Sequence, residues 1–518
     1  MKMTKTRKLI ALSLGLVLLV AVILAFVFRS TVVNRNSNVP VVSILRTWAT
    51  PPDAEHPYVK YVTEKTGVQP EIRALSGDYG EGLQMIFASN MNVPDVFRPL
   101  NFGIDATLVE QDAAVALDEL LPKYAPDMWK NIPEDVWNLM RADSKDGHIY
   151  VIPQVYINYA ERGWIIRQDW LDNLGLSTPK TKDELVEVLR AFRDKDPNGN
   201  GLKDELPTIA QAGPNWLHGF FAMYGVPFFN SDPLWDIYDG KLMYSALTKN
   251  AKDAIAFMRD LYAEGLMDPE SFLNTGADFN AKIQEDRVGL FAHVLHQADT
   301  SYFNNLYSKN PKAKLAAIAP PKVDGYDGFI TRLQVANRDW CIPKSNEANA
   351  ANVLKYLNWF ETEEGRRFVA YGIEGETWDM VDGKVVYYPE KDSADLFGKR
   401  YHGLKGLQAN DGEFFVNNIC AVKGNGLGDM LVEMQKVTLA ASRTIAGDGL
   451  PLTIYDGYPD HKNHKLFYEY AINIITGEWP IEKYDEFVSE WYRTGGDIVE
   501  QRANEWYQKY QDIQAAID

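Results

Sequence analysis

Cysteine is almost absent from this chain, and its scarcity excludes several kinds of protein. Only two cysteines, Cys341 and Cys420, occur among 518 residues. They lie far apart in the sequence and show no metal-ligand spacing, so neither a disulfide scaffold nor a cysteine-based zinc site is expected. The sequence alone leaves two options open for them, separate thiols or one disulfide.

Positive charge is also in short supply. The chain has 53 lysines and arginines against 71 acids, a net charge of -18, and no clustered basic face. Because a phosphate backbone needs a basic surface, no nucleic acid is expected as a partner. The chain also lacks an HExxH motif and a His-Asp-Ser nucleophile arrangement, so no motif marks it as an enzyme. Its length exceeds what one hydrophobic core supports, and two or more lobes are expected.

A long apolar run occurs only once, from Leu9 to Phe28, after a basic stretch. It is long enough to span a hydrocarbon core of ~30 Å, and it ends in Phe28-Arg29-Ser30 rather than in a small-x-small cleavage site. We therefore interpret residues 1–29 as an uncleaved signal anchor, with a cleaved signal peptide as the alternative, and residues 30–40 as a polar tether. The basic end of the segment stays inside the cell, so the body of the protein lies at the extracellular face of the membrane if the segment is retained. It is secreted if the segment is cleaved.

The periodicity of apolar residues predicts a mixed α/β protein. Residues 41–97 read as β-α-β-α-β, a pattern that implies a parallel sheet. A helix is expected over Ala106–Leu121, and a second α/β region opens at Trp164. The C-terminal third reads as mostly helical, with the last helix broken near Gly495-Gly496.

Oxygen-bearing side chains alternate in the stretch DPNGNGLKDE, directly after an amphipathic helix. Calcium prefers six to eight hard oxygens, and glycines permit the positive φ angles of a tight curl. The stretch resembles an EF-hand loop, but Pro207 stands where such a loop ends in glutamate. We interpret it as a structural calcium site of another type, and a metal-free polar turn is the alternative. The expected ligands are Asp196, Asn198, Asn200, the Leu202 carbonyl, Asp204 and Glu205.

Four stretches carry a resemblance to a known family. They are RQDWLDNLGL (167–176) with the calcium-type loop, LQMIFASNMNVPDVF (83–97), LDELLPKYAPDM (117–128) and EEGRRFVAYGIEGETW (363–378). Together they resemble the extracellular solute-binding proteins of carbohydrate ABC transporters, in the large Gram-positive lipoprotein branch related to alginate-binding proteins. The resemblance covers roughly residues 41–518. One departure is the lack of any cysteine before Cys341, which argues against a lipid anchor and leaves the apolar helix as the membrane attachment.

The resemblance implies a two-lobe, periplasmic-binding-protein-like fold of type II with a hinge between the lobes. It implies that residues 41–157 plus 318–380 form the first lobe and that residues 158–317 plus 381–518 form the second, with the calcium loop. In calcium-binding relatives the six loop positions match the ligand positions one by one. The implied function is non-catalytic capture of an oligosaccharide in the cleft between the lobes and its delivery to the permease subunits by a monomer.

A sugar presents apolar faces and a rim of hydroxyls, so aromatic rings and polar side chains at strand ends or in hinge loops are the candidate ligand contacts. Each of these aromatic side chains has core packing as its alternative role. The candidates are Trp48, Tyr156, Trp216, His218, His293, His296, Trp340, Trp378 and Asp379.

Two other functions compete with transport. A membrane-anchored ectodomain that senses a glycan without importing it would fit the anchor equally well. A secreted glycoside hydrolase would need a carboxylate pair, but with 71 acids in the chain such pairs carry little information.

Overall fold

A computed structural model of the chain describes residues 39–47, 50–100, 103–298, 303–423 and 426–516. The strands in these ranges are β1 (Val41–Arg46), β2 (Gln69–Ala74), β3 (Val96–Phe97), β4 (Val151–Ile157), β5 (Arg162–Arg167), β6 (Leu206–Thr208), β7 (Phe228–Phe229), β8 (Asp232–Pro233), β9 (Trp235–Tyr238), β10 (Lys241–Tyr244), β11 (Val288–Val294), β12 (Leu315–Ile318), β13 (Ile330–Thr331), β14 (Val335–Cys341), β15 (Trp378–Val381), β16 (Lys384–Tyr387), β17 (Ala409–Asp411) and β18 (Ser442–Arg443).

The α-helices of the same ranges are α1 (Pro57–Thr66), α2 (Tyr79–Ser89), α3 (Ile104–Glu110), α4 (Leu120–Tyr124), α5 (Pro126–Asn131), α6 (Glu134–Asp143), α7 (Gln168–Leu174), α8 (Lys182–Asp194), α9 (His218–Met223), α10 (Lys249–Ala263), α11 (Gly276–Gln284), α12 (Asn304–Lys309), α13 (Ala350–Trp359), α14 (Glu363–Tyr371), α15 (Ala394–Phe397), α16 (Gly412–Phe414), α17 (Leu427–Ala440), α18 (Pro459–Lys462), α19 (Lys465–Ile475), α20 (Lys483–Trp491) and α21 (Asp497–Ala515).

The chain divides into two compact units, as the α/β two-lobe prediction requires. Unit 1 contains the described residues up to Asn131, together with Tyr150–Ile152 and Arg338–Gln408. Unit 2 contains Ile132–Ile149, Pro153–Asn337 and Ala409–Asp518. The mixed α/β fold class and the helical C-terminal region are confirmed.

Unit 1 begins with the β-α-β-α-β run that the sequence predicts. Strand β1 pairs in parallel with β2 and with β3, so the predicted parallel sheet is confirmed. Helix α1 ends at Thr66 and is capped by Gly67, whose φ of 69° is left-handed. Helix α2 begins at Tyr79 and is capped by Asp78, whose carboxylate accepts the Glu81 N–H at 2.8 Å.

Unit 2 has a sheet of its own in the order β12-β5-β11-β6. Strand β11 runs antiparallel to β5 and parallel to β6. One position shows how closely the elements pack: a Cβ on Gly289 would lie 2.3 Å from the Phe192 ring of α8. Only glycine therefore allows β11 to approach this helix so closely.

Helices fill the C-terminal part of unit 2. The predicted break near Gly495-Gly496 is confirmed: α20 ends at Trp491, a π-helical turn follows, and α21 begins at Asp497. Gly495 has a φ of 103°, which interrupts the helix there.

One predicted helix is wrong. Residues 106–121 do not form a single helix, because α3 ends at Glu110 and α4 begins only at Leu120. Asp112 between them has a φ of 53°, and Ala114 forms an isolated antiparallel β-bridge with Pro343. Extended pairing therefore replaces helix here.

The boundaries of the units also differ from the predicted lobes. Residues 132–149, 153–157 and 318–337 belong to unit 2 rather than to the first lobe, and residues 381–408 belong to unit 1. The Trp506 Nε1 of α21 donates to the Asp143 carboxylate at 3.0 Å, which ties α6 to unit 2. Arg400, fully buried, donates to the Val369 carbonyl at 3.0 Å, which ties the 381–408 segment to α14.

Both cysteines are buried, and no disulfide joins them, so the structure favours separate thiols. Among the described residues, no helix has the length and apolarity needed to cross a membrane. The predicted anchor, Leu9–Phe28, lies outside the described residues.

Candidate functional site

The calcium-type loop follows α8 and curls as its glycines predict. Asp196, Gly199 and Gly201 have φ angles of 47°, 69° and 80°. The Asp196 carboxylate accepts the N–H groups of Asn200 at 3.1 Å and of Gly201 at 3.0 Å. The Asn200 side-chain oxygen in turn accepts the Leu202 N–H at 2.6 Å. The Asp196 and Asn200 oxygens are thus bonded to the backbone of the loop itself.

Three contacts fix the loop to the body of unit 2. Asn173 donates to the Pro197 carbonyl at 3.0 Å, and Asn198 donates to the Asp286 carbonyl at 2.9 Å. Arg287 Nε donates to the Asp204 carbonyl at 3.1 Å. The order of the loop therefore depends on the segment that leads into β11.

A buried ion cluster stands behind the same segment and explains part of the RQDWL motif. The guanidinium of Arg167, at 0% exposure, makes a two-pronged contact with Asp169 at 2.9 and 2.6 Å. It also pairs with Asp286. Such a fork geometry satisfies a buried arginine well. The motif thus links the loop to the core of unit 2 through Asp286.

Glu205 is the loop residue that best tests whether a cation fits. Its side chain is buried, and its Oε1 atom has no hydrogen-bond partner. Burial raises the pKa of Glu205, and the nearby carboxylates of Asp196 and Asp204 raise it further. A buried acid among acids is unfavourable without a positive charge. The donor set of carboxylate, amide and carbonyl oxygens is the one that calcium prefers.

The carboxylates of the loop are not gathered around a common point. Within the described ranges, no group of three or more histidine, cysteine or acidic side chains forms a metal cluster. Asp204 instead lies 3.6 Å from the Arg287 guanidinium and accepts from the Asn200 amide at 3.1 Å. The residue types fit calcium, and binding would need these carboxylates to turn toward the ion.

A second group of side chains in unit 2 gathers at the end of β11, next to the start of β5. The half-buried Trp216 ring stacks on His293, with centroids 5.2 Å apart and planes within 5°. The Arg162 guanidinium lies 4.8 Å from the Trp216 centroid and 4.7 Å from the Phe229 centroid. Three predicted residues, Trp216, His218 and His293, therefore meet here, with His218 6.1 Å from Trp216.

Trp216 has an unusual backbone conformation for a bulky residue. Its φ of 66° is left-handed and costs on the order of 1 kcal/mol or more. Two hydrogen bonds hold it: its N–H donates to the Asn230 carbonyl at 3.2 Å, and its Nε1 donates to Gln211 at 2.9 Å. Strain of this kind concentrates at binding sites, so Trp216 is a strong candidate contact.

The predicted histidines differ in surroundings. His218 and His293 are buried, and burial lowers the pKa of His218 to about 3 and that of His293 to about 4. Both rings are therefore neutral at physiological pH. His296 is half-buried, and its Nδ1 lies 3.0 Å from the Tyr159 hydroxyl. The Tyr159 ring in turn contacts Tyr156 with centroids 5.5 Å apart.

A small polar pocket adjoins this group. Its lining residues come from the end of β4, the start of β5 and their connection, from β7, from the segment around β13, and from α17 and β18. They are Tyr156, Tyr159, Ala160, Glu161, Arg162, Phe229, Ile330, Thr331, Arg332, Leu333, Thr438 and Ser442. Burial raises the pKa of Tyr156, and Glu161 adds to this effect, so the phenol remains a protonated donor. The pocket thus combines aromatic surface with hydroxyls and guanidiniums, the groups that suit a sugar.

The other predicted contacts lie in unit 1 or outside the described residues. Trp340 is 1% exposed, with the guanidinium of Arg46 5.4 Å from its ring centroid. Trp378 is buried and donates to the Gly372 carbonyl at 3.1 Å, and Asp379 accepts from the Tyr388 hydroxyl at 2.9 Å. Trp48 lies outside the described residues.

Several pocket residues escaped the sequence analysis, notably Tyr159, Arg162 and Arg332. The charged pair Glu161-Arg162 stands where the apolar strand β5 begins, and this pattern is a signal that points to a strand end. Arg332 carried no signal, because its place in the pocket depends on the long-range pairing of β13 with β18.

Comparison with known proteins defines the class. A family model for bacterial extracellular solute-binding proteins matches residues 49–367, and the chain belongs to this family. Relatives with a known role, such as the one from Streptococcus pneumoniae described below, are binding proteins of transporters rather than enzymes. Recognition of the family from the four sequence stretches is thereby confirmed.

Particular relatives refine the comparison. The lipoprotein LipO of Bacillus subtilis is 23% identical over 481 residues, covering 88% of this chain and 90% of LipO. The fructooligosaccharide ABC transporter substrate-binding protein FusA of Streptococcus pneumoniae is 31% identical over 243 residues, covering 44% of each chain.

Solved structures share the fold. The alginate-binding protein AlgQ2, solved without calcium ion, has a TM-score of 0.69 at 21% identity, covering 92% of this chain and 99% of AlgQ2. FusA in complex with kestose has a TM-score of 0.68 at 20% identity, covering 91% and 99%. An EF-hand mutant of FusA has also been solved, with fructo-nystose.

Proposed function

We propose that this chain is the substrate-binding component of an ABC importer, that it captures an oligosaccharide without chemically changing it, and that it passes the sugar to membrane permease subunits. Family membership supports a role in solute binding. The observation that supports a sugar as the ligand is the polar pocket of unit 2 with its aromatic side chains, Trp216 and Tyr156. Rings of this kind stack on the apolar face of a sugar while hydroxyls and guanidiniums bond its rim.

The same proposal includes a structural calcium ion in the loop after α8. The residues that would hold it are Asp196, Asn198, Asn200, the Leu202 carbonyl, Asp204 and Glu205. Bound calcium supplies the positive charge that the buried Glu205 carboxylate lacks. The chain's own contribution is a curled backbone and three hydrogen bonds that anchor the loop to unit 2.

For the location we propose that Leu9–Phe28 holds the protein at the outer face of the cell membrane, in the role that a lipid group would otherwise have. The absence of any cysteine before Cys341 supports this proposal. Intact mass measurement of the mature protein tests it, because a cleaved signal peptide would remove the segment.

A binding screen tests the sugar. The full chain, purified in a detergent that carries no sugar headgroup, would be heated with a panel of neutral and acidic oligosaccharides. A sugar that binds only the native state raises the unfolding midpoint by mass action. We expect a shift from one class of glycan, and we expect Trp216→Ala to abolish it.

The control for this screen is Trp479→Ala, which removes another half-buried tryptophan of unit 2 that packs on Tyr470. It should lower stability but leave the sugar-induced shift intact. If no glycan shifts the midpoint, the oligosaccharide proposal fails. Binding without loss of uptake in a deletion strain would favour a sensor instead.

A further inference from the structure

Unit 1 contains a cavity that the sugar proposal does not use. The volume of this unit 1 cavity, about 460 Å³, lies within the range of roughly 300–1,000 Å³ that is common for binding pockets. Its walls come from α1, the end of α13, α14 and the residues up to the start of β15. None of its lining residues belongs to the small pocket of unit 2, so the two are separate sites.

Most of the unit 1 cavity is built by residues 363–378, one of the stretches that carry the family resemblance. Seven of the ten lining residues belong to this stretch, which the pocket of unit 2 does not use. FusA is named for fructooligosaccharides and AlgQ2 for alginate, so proteins of this fold differ in their sugars. A stretch by which this chain resembles the whole family therefore suits a partner that such proteins share better than it suits one particular sugar.

Aromatic rings form the wall of the unit 1 cavity. The Tyr61 ring of α1 stacks on Phe368 of α14, with centroids 5.5 Å apart and planes within 23°. Positive groups of the chain itself already lie against this wall. The Lys65 ammonium is 5.2 Å from the Tyr61 centroid, and the Arg367 guanidinium is 6.0 Å from the Trp378 centroid. The wall thus suits a cation, which the negative faces of the rings attract.

The three glutamates that line the unit 1 cavity differ in their partners. Glu363 pairs with an arginine of α14, and Glu364 pairs with a lysine of α1 at 2.6 Å. Glu374 follows α14 and is exposed, and no ion pair engages it in the part of the chain that the structure describes. Burial raises the pKa of Tyr61 to about 12, and the charges of Glu364 and Glu374 contribute to this rise. The cavity therefore holds one unmatched carboxylate close to its aromatic wall.

We infer that the unit 1 cavity is a docking site for the permease, and that it receives one arginine side chain from an extracellular loop of a permease subunit. The guanidinium would bond to Glu374 and contact the aromatic wall. Arginine suits this place better than lysine, because its planar group can bond a carboxylate with two N–H donors and also lie against a ring. The inference rests on the proposed function, since only a component of an importer has a permease to bind.

Photocrosslinking in the native cells tests the docking directly. The full chain would carry p-benzoylphenylalanine in place of Glu363, which is 71% exposed at the rim of the cavity, so that Glu374 stays intact. We expect ultraviolet light to join the protein to a transmembrane subunit of an ABC transporter, identified by mass spectrometry of the joined peptides. The matched control carries the same group in place of Glu81, an exposed glutamate of α2 in the same unit.

Charge reversal separates docking from sugar binding. Glu374→Arg sets like charges against each other, and it should reduce uptake of the glycan found in the binding screen by on the order of tenfold or more. The affinity of the purified variant for that glycan should stay within about twofold of wild type, because the sugar pocket lies in unit 2. Glu81→Arg should change neither quantity. Arginine→glutamate substitution in the crosslinked permease loop should restore uptake with Glu374→Arg, a rescue that a merely structural role would not produce.

The outcomes distinguish this inference from the proposed function. Equal crosslinking from positions 363 and 81, or full uptake with Glu374→Arg, would overturn the inference and leave the proposed function standing. Loss of glycan affinity in purified Glu374→Arg would also overturn it, because the cavity would then belong to sugar binding. If no glycan binds the wild-type chain and its deletion leaves uptake unchanged, the proposed function is wrong and the inference falls with it.

Discussion

Gln435 shows how a single buried side chain positions the candidate sugar site. It lies on α17 at 3% exposure, where its Oε1 accepts the Ala160 N–H at 2.9 Å and its Nε2 donates to the Ala160 carbonyl at 2.6 Å. Ala160 stands between Tyr159 and Glu161 in the pocket wall. Gln435→Leu should destabilise the protein by about 2–4 kcal/mol, because two buried backbone groups lose their partners. Urea unfolding measures this loss, and titration should show weaker sugar binding.

The matched control on the same helix is Glu433→Leu. The Glu433 side chain is 63% exposed and pairs with Lys436 at 3.5 Å. A surface substitution of this kind changes stability by about 0.5 kcal/mol or less. Equal effects of the two variants would show that the backbone clamp on Ala160 contributes nothing.

At the scale of elements, strand β14 begins on an unusual support. The buried Asp448 carboxylate accepts the N–H groups of Gln334 and Val335, the latter at 3.3 Å. Burial raises the pKa of Asp448 to about 7; the backbone hydrogen bonds oppose this, and the Asp135 charge adds to it. Asp135 itself accepts from the Gln334 amide at 3.1 Å, and the Tyr510 phenol also faces this group.

This raised pKa predicts a specific pH dependence of stability. The native state holds the Asp448 proton more tightly than the unfolded state does, so its contribution is full below about pH 4 and is lost as the pH rises to about 7. Asp448→Asn cannot ionise, and its side-chain oxygen still accepts. Its stability relative to wild type should therefore improve by roughly 1–4 kcal/mol between pH 5 and pH 8.

Urea unfolding at the two pH values measures the effect. Asp324→Asn, at an exposed carboxylate of the same unit, is the matched control for loss of charge. A stability difference between Asp448→Asn and wild type that does not change with pH would contradict a buried, titrating carboxylate at β14.

At the scale of the whole molecule, the sequence predicted features that depend on neighbouring residues better than features that depend on contacts between distant residues. The β-α-β-α-β run and the helix break at Gly495 follow from periodicity and from glycine, and both are confirmed. The helix predicted over residues 106–121 was wrong, because the extended pairing of Ala114 with the distant Pro343 interrupts the helical pattern there. Local patterns contain no information on such distant partners.

The candidate site also has a part that local sequence predicts, the calcium-type loop, and a part that it does not, the pocket of unit 2. The loop oxygens from Asp196 to Glu205 lie in one short stretch, so their spacing alone predicted them as calcium ligands. The pocket brings together Arg162, Phe229, Arg332 and Ser442, which are distant in sequence. Aromatic content pointed to Trp216 and Tyr156, but the guanidiniums that set the charge of the pocket depended on tertiary packing.

Removal of calcium should affect the two units unequally. The loop's anchoring contacts, at Asn173, Asp286 and Arg287, all lie in unit 2. A bound ion stabilises what it binds by mass action, by about 2.7 kcal/mol when its concentration is 100 times the dissociation constant. A chelator should therefore increase amide hydrogen exchange in α8 and β11, whereas β1 and β2 of unit 1 keep their protection.

Added calcium should restore protection and magnesium should not, since magnesium requires a tighter octahedral site. Glu205→Gln should reproduce the effect of the chelator. Exchange that rises equally in both units, or that ignores the chelator, would rule out a calcium ion as the support of this loop.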